Sequence, residues 1–295
     1  MKKKILITGV NGFIGFSLFE YLSKIKNFEV YGIGTNKKYK RKKNLNIRYT
    51  KITTKSLLSL KKVPDIIIHC AGSGSVGGSY SNKSNDYLEN FRTTQDTLEY
   101  CRIKYSIKKL IFISSAAVYG NFVDLKKIKP LSPYGKNKLL AENLCIKHHK
   151  KYKLDLAVLR LFSVYGVGLK KQLIWEACKK LRNNNFIFYG NGEETRSWIN
   201  IKDVIRAIIC VIKNKKSFLI TDVAPKNQIK VKDILSIISK NFKINSKNLL
   251  FNGIKKKGYP NHQKIILKNI FKLDWKPTVT LERGVKKYVK WFNKQ

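Results

Sequence analysis

The segment SPYGKNKLLAE, residues 132–142, places a tyrosine and a lysine four positions apart, at Tyr134 and Lys138. In a helix this spacing puts both side chains on one face. A tyrosine with its ordinary pKa of about 10 is a weak base near neutral pH, and a lysine ammonium beside it favours the phenolate. The pair therefore predicts a tyrosine that transfers protons, although in so lysine-rich a chain the same spacing also arises by chance.

A pair of serines precedes this helix at the end of a strand-like segment. In FISSAAVYG the apolar run ends at Ser114 and Ser115. In parallel α/β sheets the carboxyl ends of the strands form the ligand-binding edge. Ser115 can then hydrogen-bond the same substrate oxygen that exchanges a proton with Tyr134. Ser115, Tyr134 and Lys138 together predict a site that oxidises an alcohol or reduces a ketone.

The turn between the first predicted strand and the first predicted helix, TGVNGFIG, carries glycines at every third position: Gly9, Gly12 and Gly15. Glycines at a strand–turn–helix junction let the backbone approach a pyrophosphate at the positive N-terminus of the helix. The motif predicts a dinucleotide site. A nicotinamide ring bound there would add a second positive charge beside Tyr134.

The acidic residue that commonly ends the second strand and binds the adenosine ribose is missing. Gly34 and Thr35 occupy that place and are followed by Lys37 and Lys38, which could neutralise a 2′-phosphate. This arrangement favours NADP over NAD. Both cofactors stay open, because lysine is abundant throughout the chain.

Strand-like and helical segments alternate along the first half of the chain. The strand-like runs are KKILITG, FEVYGIG, IRYTKIT, PDIIIHCAG, KKLIFISSAAVYG and DLAVLRLFSVYG, and a long helical segment covers residues 85–105. Such alternation predicts right-handed β-α-β crossovers and a parallel sheet covered on both faces. We therefore expect an α/β fold, with a Rossmann-type doubly wound parallel sheet over residues 1–168. A smaller mixed α/β lobe over residues 169–295 is expected to hold the segments FIFYG and SFLITDV and an amphipathic C-terminal helix.

These motifs, with RSWINIKDV and the closing LDWKPTVTLERGVKKYVKWF, occur in the order typical of one protein family. Over nearly its whole length the chain resembles the extended short-chain dehydrogenase/reductases, in the branch of nucleotide-sugar epimerases and dehydratases. The resemblance implies that Tyr134 is the catalytic acid and base. It also implies that Lys138 lowers the pKa of the tyrosine and binds the nicotinamide ribose, and that Ser115 holds the sugar hydroxyl or ketone.

The same resemblance implies residues for the cofactor, the substrate and a partner subunit. An NAD or NADP molecule would be lined by Gly9, Gly12, Phe13, Ile14, Gly15, Lys37, Cys70, Ala71, Gly72, Asn90, Tyr134, Lys138 and Phe162. A nucleotide-diphosphate sugar would contact Ser75, Val76, Ser115, Ser163 and Arg196. The arginine would grip the diphosphate through charge-assisted hydrogen bonds. Because the family usually dimerises through a four-helix bundle, we expect a homodimer that uses the helices at residues 86–104 and 134–152.

Departures from the family's pattern bear on the reaction. Ala116 and Ala117 stand where 4,6-dehydratases carry an Asp-Glu pair, so dehydration is not expected. Lys51 stands near the adenine where an acidic residue is frequent, and Ser163 replaces an asparagine of many 4-epimerases. The SVGGS loop and the whole-chain match favour a UDP- or other NDP-hexose 4-epimerase, which takes hydride from sugar C4 and returns it on the other face. The missing ribose acid, Lys37 and Ser163 leave an NADPH-dependent 4-keto-6-deoxysugar reductase as the alternative.

The amino-acid composition limits which other classes of protein this chain could belong to. The 295 residues are 43% hydrophobic, with 61 Lys and Arg against 18 Asp and Glu and a net charge of +43. The lysines are spread over the whole chain, as an AT-rich coding sequence would give, so no specific nucleic-acid partner is expected. The positive field still suits a phosphate-bearing substrate. Dispersed cysteines, histidines without a ligand pattern and short apolar runs predict a cytoplasmic enzyme without metal site, disulfides or membrane insertion.

Overall fold

The computed structural model describes residues 2–35, 46–121, 128–263 and 265–295. Its strands, in chain order, are β1 (Lys3–Thr8), β2 (Phe28–Gly34), β3 (Ile47–Tyr49), β4 (Ile66–His69), β5 (Lys109–Ser115), β6 (Asp155–Leu161), β7 (Ser163–Tyr165), β8 (Ile187–Phe188), β9 (Thr195–Arg196), β10 (Trp198–Asn200), β11 (Phe218–Val223), β12 (Ile229–Lys230) and β13 (Leu250–Phe251). The helices are α1 (Phe13–Leu22), α2 (Thr54–Leu58), α3 (Val76–Ser81), α4 (Lys83–Tyr87), α5 (Thr93–Ile103), α6 (Pro133–Tyr152), α7 (Gln172–Arg182), α8 (Ile201–Lys213), α9 (Val231–Asn241) and α10 (Leu281–Phe292).

A seven-stranded parallel sheet forms the centre of the molecule, in the order β11-β6-β5-β4-β1-β2-β3. From β1 the chain proceeds outward through β2 to β3, then crosses back to β4 and continues outward through β5 to β6. The direction of winding therefore reverses between β1 and β4. In open α/β sheets the crevice outside the carboxyl ends at such a switch point is where ligands bind.

Both faces of the sheet are covered, as the nearly uninterrupted apolar strands predict. On one face α1 and α8 bury Leu18, Val204 and Ile208 against the sheet. On the other face α5 and α6 bury Leu98 and Cys145. The predicted α/β fold with a Rossmann-type, doubly wound parallel sheet is confirmed.

A smaller apolar cluster gathers α7, α9 and α10 around side chains such as Ile234 and Tyr288. Three short strand pairs surround it: β7 with β10, β9 with β12 and β8 with β13. The assignment of SFLITDV to this lobe is wrong, because Phe218–Val223 pairs with β6 as the edge strand of the main sheet. The segment was assigned to the lobe because it follows residue 168 in the sequence. However, α8 carries the chain back across the sheet before β11 begins. The division at residue 168 stays a prediction.

The long helix predicted over residues 85–105 is interrupted. It consists of α4, a π-helical turn over Leu88–Arg92, and α5. Such π turns add a residue to one turn of a helix and are frequent at functional sites. Here the wide turn contains the buried Asn90.

The strand predicted over residues 47–53 is shorter than expected and ends at Tyr49. Thr53 caps α2 instead, because its side chain accepts a hydrogen bond from the Ser56 backbone while the Ser56 side chain accepts one from the Thr53 backbone. Within the described residues, no helix has the length and apolar character needed to cross a bilayer.

Candidate active site

Tyr134 and Lys138 lie in the first turns of α6, which begins close against the end of β5. Ser132 caps this helix, since its side chain accepts a hydrogen bond of 3.1 Å from the Gly135 N–H. A Cβ atom at Gly135 would lie 2.5 Å from the Ala117 carbonyl oxygen, so glycine allows the helix to approach the strand end. Both functional side chains are buried, with 8% of Tyr134 and 5% of Lys138 exposed.

Ser115 is the last residue of β5 and meets the tyrosine there. Its hydroxyl oxygen accepts a hydrogen bond of 3.2 Å from the Ala117 N–H. Burial raises the pKa of Tyr134 to about 12, and the hydrogen bond with the Ser115 side chain opposes this by lowering it. The structure thus brings Ser115 and Tyr134 together as the sequence predicts.

Lys138 is directed past the tyrosine and into the sheet. Its Nζ donates a hydrogen bond of 3.0 Å to the Ile113 carbonyl and lies 5.0 Å from the centre of the Phe112 ring. Burial lowers the pKa of this lysine to about 8. Burial dominates the pKa of the Tyr134 phenol, and the lowering of that pKa by Lys138 stays a prediction.

The glycine-rich turn joins β1 to α1 beside the carboxyl end of β4. Gly9 has φ +67°, and a Cβ atom there would lie 2.6 Å from the Ala71 backbone. At Gly15 a Cβ atom would lie 2.3 Å from the Gly9 carbonyl oxygen. Gly12 precedes α1 and has no side chain that could cap the helix, so it leaves the first N–H groups uncapped. These features fit a pyrophosphate, which accepts hydrogen bonds from such groups.

A second close backbone approach lies directly after β4, where the predicted cofactor residues Gly72, Asn90 and Lys138 meet. Gly72 has φ +138°, and a Cβ atom there would lie 2.4 Å from the Asn90 Oδ1 and 3.3 Å from the Lys138 Nζ. The Asn90 Oδ1 is buried and has no hydrogen-bond partner. A buried acceptor without a partner is costly and suits a ligand that brings a donor, such as a ribose hydroxyl. Cys70 and Ala71 form the chain between His69 and this glycine.

Asn11, inside the glycine-rich turn, is a candidate that the sequence interpretation missed. Its Oδ1 is a second buried acceptor without a partner, and it lies 2.2 Å from where a Cβ atom of Gly34 would stand. Gly34 ends β2, where the acidic ribose-binding residue was expected and not found. An asparagine in a glycine-rich turn gives no spacing signal that would mark it, because only the fold places it over β2.

The predicted substrate residues lie on four separate segments: the start of α3, the end of β5, β7 and β9. Ser75 caps α3, with its Oγ accepting a hydrogen bond of 3.0 Å from Gly78, and Val76 begins that helix. Arg196 lies on β9 and donates to the Thr195 and Asn261 carbonyls at 2.7 and 3.1 Å, and burial lowers its pKa to about 10. These contacts hold the arginine in place.

Ser163 begins β7 and pairs with Trp198. Phe162 precedes it, is 6% exposed, and packs with the 3₁₀ turn that follows β5. Phe13 and Ile14 begin α1 and pack against the core beneath the sheet. Lys37, predicted to contact the cofactor, lies outside the described residues.

A buried ion pair ties α6 to the sheet, and the sequence interpretation did not anticipate it. Arg160 on β6 donates to both carboxylate oxygens of Glu142, with the shortest contact at 2.6 Å, and Ser114 donates to the same carboxylate. The Arg160 guanidinium also lies 4.8 Å from the centre of the Tyr119 ring. The two partners are eighteen residues apart in sequence, so no local spacing reveals the pair.

A dinucleotide-type turn, a switch-point crevice and a Ser–Tyr–Lys constellation together define a nucleotide-dependent enzyme that handles alcohols and ketones. The profile of the NAD dependent epimerase/dehydratase family matches residues 5–223, most of the chain. The chain belongs to this family.

Individual relatives agree with the family. The chain is 33% identical over 229 residues to an uncharacterized UDP-glucose epimerase of Bacillus subtilis, covering 71% of this chain and 72% of the relative. It is 30% identical over 305 residues to a putative UDP-glucose 4-epimerase of Methanocaldococcus jannaschii, covering 97% of both chains. The solved structure of a Bacillus cereus UDP-glucuronic acid 4-epimerase mutant, in complex with NAD and UDP-4-deoxy-4-fluoro-glucuronic acid, superposes with a TM-score of 0.88 over 99% of both chains at 27% identity.

Proposed function

We propose that the protein is an NAD-dependent 4-epimerase of UDP-sugars. The observation that carries the proposal is the junction of β5 and α6, where Ser115 and Tyr134 meet next to Lys138. The two relatives named above are described as an uncharacterized and a putative UDP-glucose epimerase, and the solved structure is a UDP-glucuronic acid 4-epimerase in complex with a UDP-sugar analogue. These descriptions support a UDP-sugar as the substrate.

The proposed mechanism assigns one task to each residue. Tyr134 takes the proton of the sugar 4-hydroxyl as C4 loses its hydrogen with the bonding electrons, and it returns that proton when the 4-ketone is reduced from the other face. Ser115 donates a hydrogen bond to the same oxygen and stabilises the charge that develops on it. Lys138 holds the adjacent ribose by hydrogen bonding and contributes positive charge. A bound nicotinamide would supply the redox chemistry, as acceptor and donor of the C4 hydride.

The cofactor proposal rests on three groups in the crevice: the N-terminus of α1, Asn90 and Asn11. The uncapped N-terminus of α1 would bind the pyrophosphate, and the unpartnered Asn90 Oδ1 beside Gly72 would accept from the nicotinamide ribose. The unpartnered Asn11 Oδ1 at the end of β2 can accept from a ribose hydroxyl but repels a phosphate. It therefore supports NAD, against the preference for NADP that Lys37 and Lys38 suggested.

Of two related reactions, one is disfavoured by particular residues and the other differs in how it uses the cofactor. A 4,6-dehydratase needs an acid and a base beside the catalytic hydroxyl group, and Ala116 and Ala117 provide neither. A 4-ketoreductase would have to exchange NADPH at every turnover, whereas an epimerase regenerates its cofactor within each turnover. Cofactor content therefore separates the remaining alternatives.

The experiment has two parts and uses the freshly purified protein. Denaturation followed by mass spectrometry should release close to one NAD per chain. Incubation with UDP-glucose, UDP-glucuronic acid or UDP-N-acetylglucosamine should give the C4 epimer of at least one of them without added cofactor. A protein that arrives empty, binds NADPH in preference to NADH and reduces a 4-keto-6-deoxysugar nucleotide would overturn the proposal in favour of the ketoreductase.

A homodimer is the second part of the proposal. The turn at Leu88 and the outer face of α6 leave large apolar side chains exposed, including Tyr87, Leu88 and Leu140. A shallow cavity of about 590 Å³ between α4 and α6 lies on the same face. An exposed apolar face of this kind typically marks a protein–protein contact.

We also propose an intracellular location, supported by five cysteines that are all free thiols.

A further inference from the structure

Asp86 is a buried carboxylate close to the catalytic lysine, and the proposed mechanism does not use it. It lies on α4 with only 3% of its surface exposed. In the described ranges it takes part in no ion pair, and its partners are two asparagine amides. A buried carboxylate without a cation is costly, so its retention calls for a functional account.

The first partner is Asn90, on the π-helical turn. The Asn90 Nδ2 donates to the Asp86 Oδ1 at 3.1 Å and to the Asp86 carbonyl at 3.2 Å. With the amide reversed, its oxygen would face two other acceptors, so Asp86 determines which way the amide points. The Asn90 Oδ1 is thereby turned toward Gly72.

The second partner is Asn137, on α6 between the two catalytic residues. The Asn137 Nδ2 donates to the Asp86 Oδ2 at 2.7 Å, and Asn137 is 8% exposed. One carboxylate therefore joins the π-helical turn to the helix that carries Tyr134 and Lys138. Both of its oxygens are occupied, so the carboxylate is fixed in place.

We propose that Asp86 is a positioning residue, whose carboxylate orients the Asn90 amide oxygen toward the nicotinamide ribose and places a negative charge beside the helix segment that carries Lys138. The expected effect of Asp86 on catalysis rests on the proposed epimerase function. Its expected effect on NAD binding rests only on the cofactor site. The sequence analysis did not single out Asp86 or Asn137.

Charges around the lysine agree with this role. Burial lowers the pKa of Lys138 to about 8, and nearby groups that can carry negative charge raise it: Cys70, Glu142, Cys145 and Asp86. The Cys70 and Cys145 thiols have pKa values raised by burial, so they are neutral near pH 7. Glu142 already pairs with Arg160. Asp86 is therefore the remaining carboxylate among these groups. Burial also raises the pKa of Asp86 itself, while Asn137 and Lys138 lower it.

The test compares wild type with Asp86→Asn, which keeps the size but loses one acceptor and the charge. Wild type is assayed first for epimerisation, so failure of the proposed function is seen separately. In Asp86→Asn we expect weaker NAD binding by fluorescence titration and a fall in kcat of about tenfold to a hundredfold with little change in KM for the UDP-sugar. Lys138 acts as an ammonium and loses activity as pH rises through its pKa, so loss of the Asp86 charge should move the alkaline limb of kcat to lower pH.

Two further variants separate positioning from folding. Asp96→Asn is the control, since Asp96 on α5 accepts from Thr54 and pairs with Arg92. It should change thermal stability without altering NAD affinity or the pH profile. The double variant Asp86→Asn/Asn137→Asp moves the carboxylate to the other end of the same hydrogen bond and should restore part of the alkaline limb. Wild-type NAD affinity and an unshifted pH profile in Asp86→Asn would overturn the inference, and the NAD measurement decides its binding part even if wild type epimerises none of the sugars.

Discussion

At Tyr134, burial and hydrogen bonding act on the phenol in opposite directions. Burial raises its pKa to about 12, and the Ser115 hydrogen bond lowers it. The nearest lysine donates its hydrogen bond to the Ile113 carbonyl. A phenol in this state stays protonated near neutral pH, and it forms the phenolate only with additional positive charge nearby. An oxidised nicotinamide is such a charge, so we expect Tyr134 to become an effective base only in the loaded enzyme.

The first prediction concerns this hydroxyl. Tyr134→Phe removes the group that exchanges the proton and should lower kcat about 10²- to 10⁴-fold, while bound NAD stays near the wild-type level. The measurement is a steady-state assay with cofactor content determined on the same sample.

The matched control is Tyr119→Phe, which removes a buried hydroxyl that donates to Asp222 at 2.6 Å. This loss should cost about 1–3 kcal/mol of stability and leave kcat within a few-fold of wild type. Full activity in Tyr134→Phe would contradict the assigned role.

Predictability from sequence differs sharply among the site residues. Tyr134 and Lys138 are four positions apart, and Ser115 ends a strand, so local patterns find all three. Asn11 and Asp86 carry no such signal, because only the folded chain places Asn11 beside Gly34 and Asp86 beside Asn137. For Asp86 the partner on α6 is fifty-one positions away, and only the folded chain shows that the two meet.

Among the elements, the turn between β1 and α1 leaves the least room for a side chain. A Cβ atom at Gly15 would lie 2.3 Å from the Gly9 carbonyl oxygen, well inside van der Waals contact. We predict that Gly15→Ala displaces the start of α1 and lowers bound NAD to a small fraction of the wild-type level. The measurement is cofactor content by mass spectrometry after gel filtration.

Gly77→Ala is the control for this change, since a Cβ atom at Gly77 on α3 meets nothing within 4 Å. Alanine is the better helix former by about 1 kcal/mol. This variant should therefore keep its NAD and lose no stability. If Gly15→Ala also kept a full complement of NAD, the turn would not be the pyrophosphate site.

The second prediction at this scale concerns the buried ion pair between α6 and β6. Glu142 and Arg160 are 1% and 5% exposed, so removal of either partner leaves a buried charge. We predict that Glu142→Leu and Arg160→Met each cost about 3–5 kcal/mol in free energy of unfolding, and that the double variant is close to wild type. Urea denaturation of the four proteins measures the coupling. Single costs that simply add in the double variant would show that the pair is not coupled.

The fold of the molecule as a whole was largely predictable from the sequence, and the one misassigned strand of the main sheet has an identifiable cause. The alternation of apolar strands and helices predicts the parallel sheet, since each crossover is local in sequence. The edge strand Phe218–Val223 was misassigned because α8 first carries the chain back over the sheet. The hydrophobic periodicity of a sequence does not show which distant strands pair with each other. The same limitation hides the contact between α4 and α6 that holds Asp86.

Assembly of the molecule gives the fourth prediction. Leu88 is 54% exposed beside the cavity between α4 and α6. We predict that Leu88→Lys shifts a homodimer toward monomer in multi-angle light scattering, because a lysine on both copies would be buried against an apolar surface and against its own charge. Leu250→Lys is the control, since Leu250 is 58% exposed on β13 and outside the proposed interface. A wild-type protein that is monomeric at micromolar concentration would contradict the dimer.

Net charge gives the last prediction. A charge of +43 on 295 residues destabilises the compact state through self-repulsion, and salt screens it. The Debye length falls from about 30 Å at 0.01 M to about 10 Å at 0.1 M ionic strength. We therefore predict that Tm rises steadily as NaCl is added over this range, where a gain of about 1 kcal/mol raises Tm by about 2–4 °C in chains of roughly this size.

A variant of α10 tests whether repulsion is the cause. This helix carries Lys286, Lys287 and Lys290, with Lys294 just beyond it, all exposed and without an ion-pair partner in the ranges that the structure describes. Replacing these four lysines by glutamine should raise Tm at low salt and flatten its dependence on salt. If Tm of the wild type were insensitive to NaCl, or if the variant followed the wild-type curve, the charge would be too well dispersed for self-repulsion to limit stability.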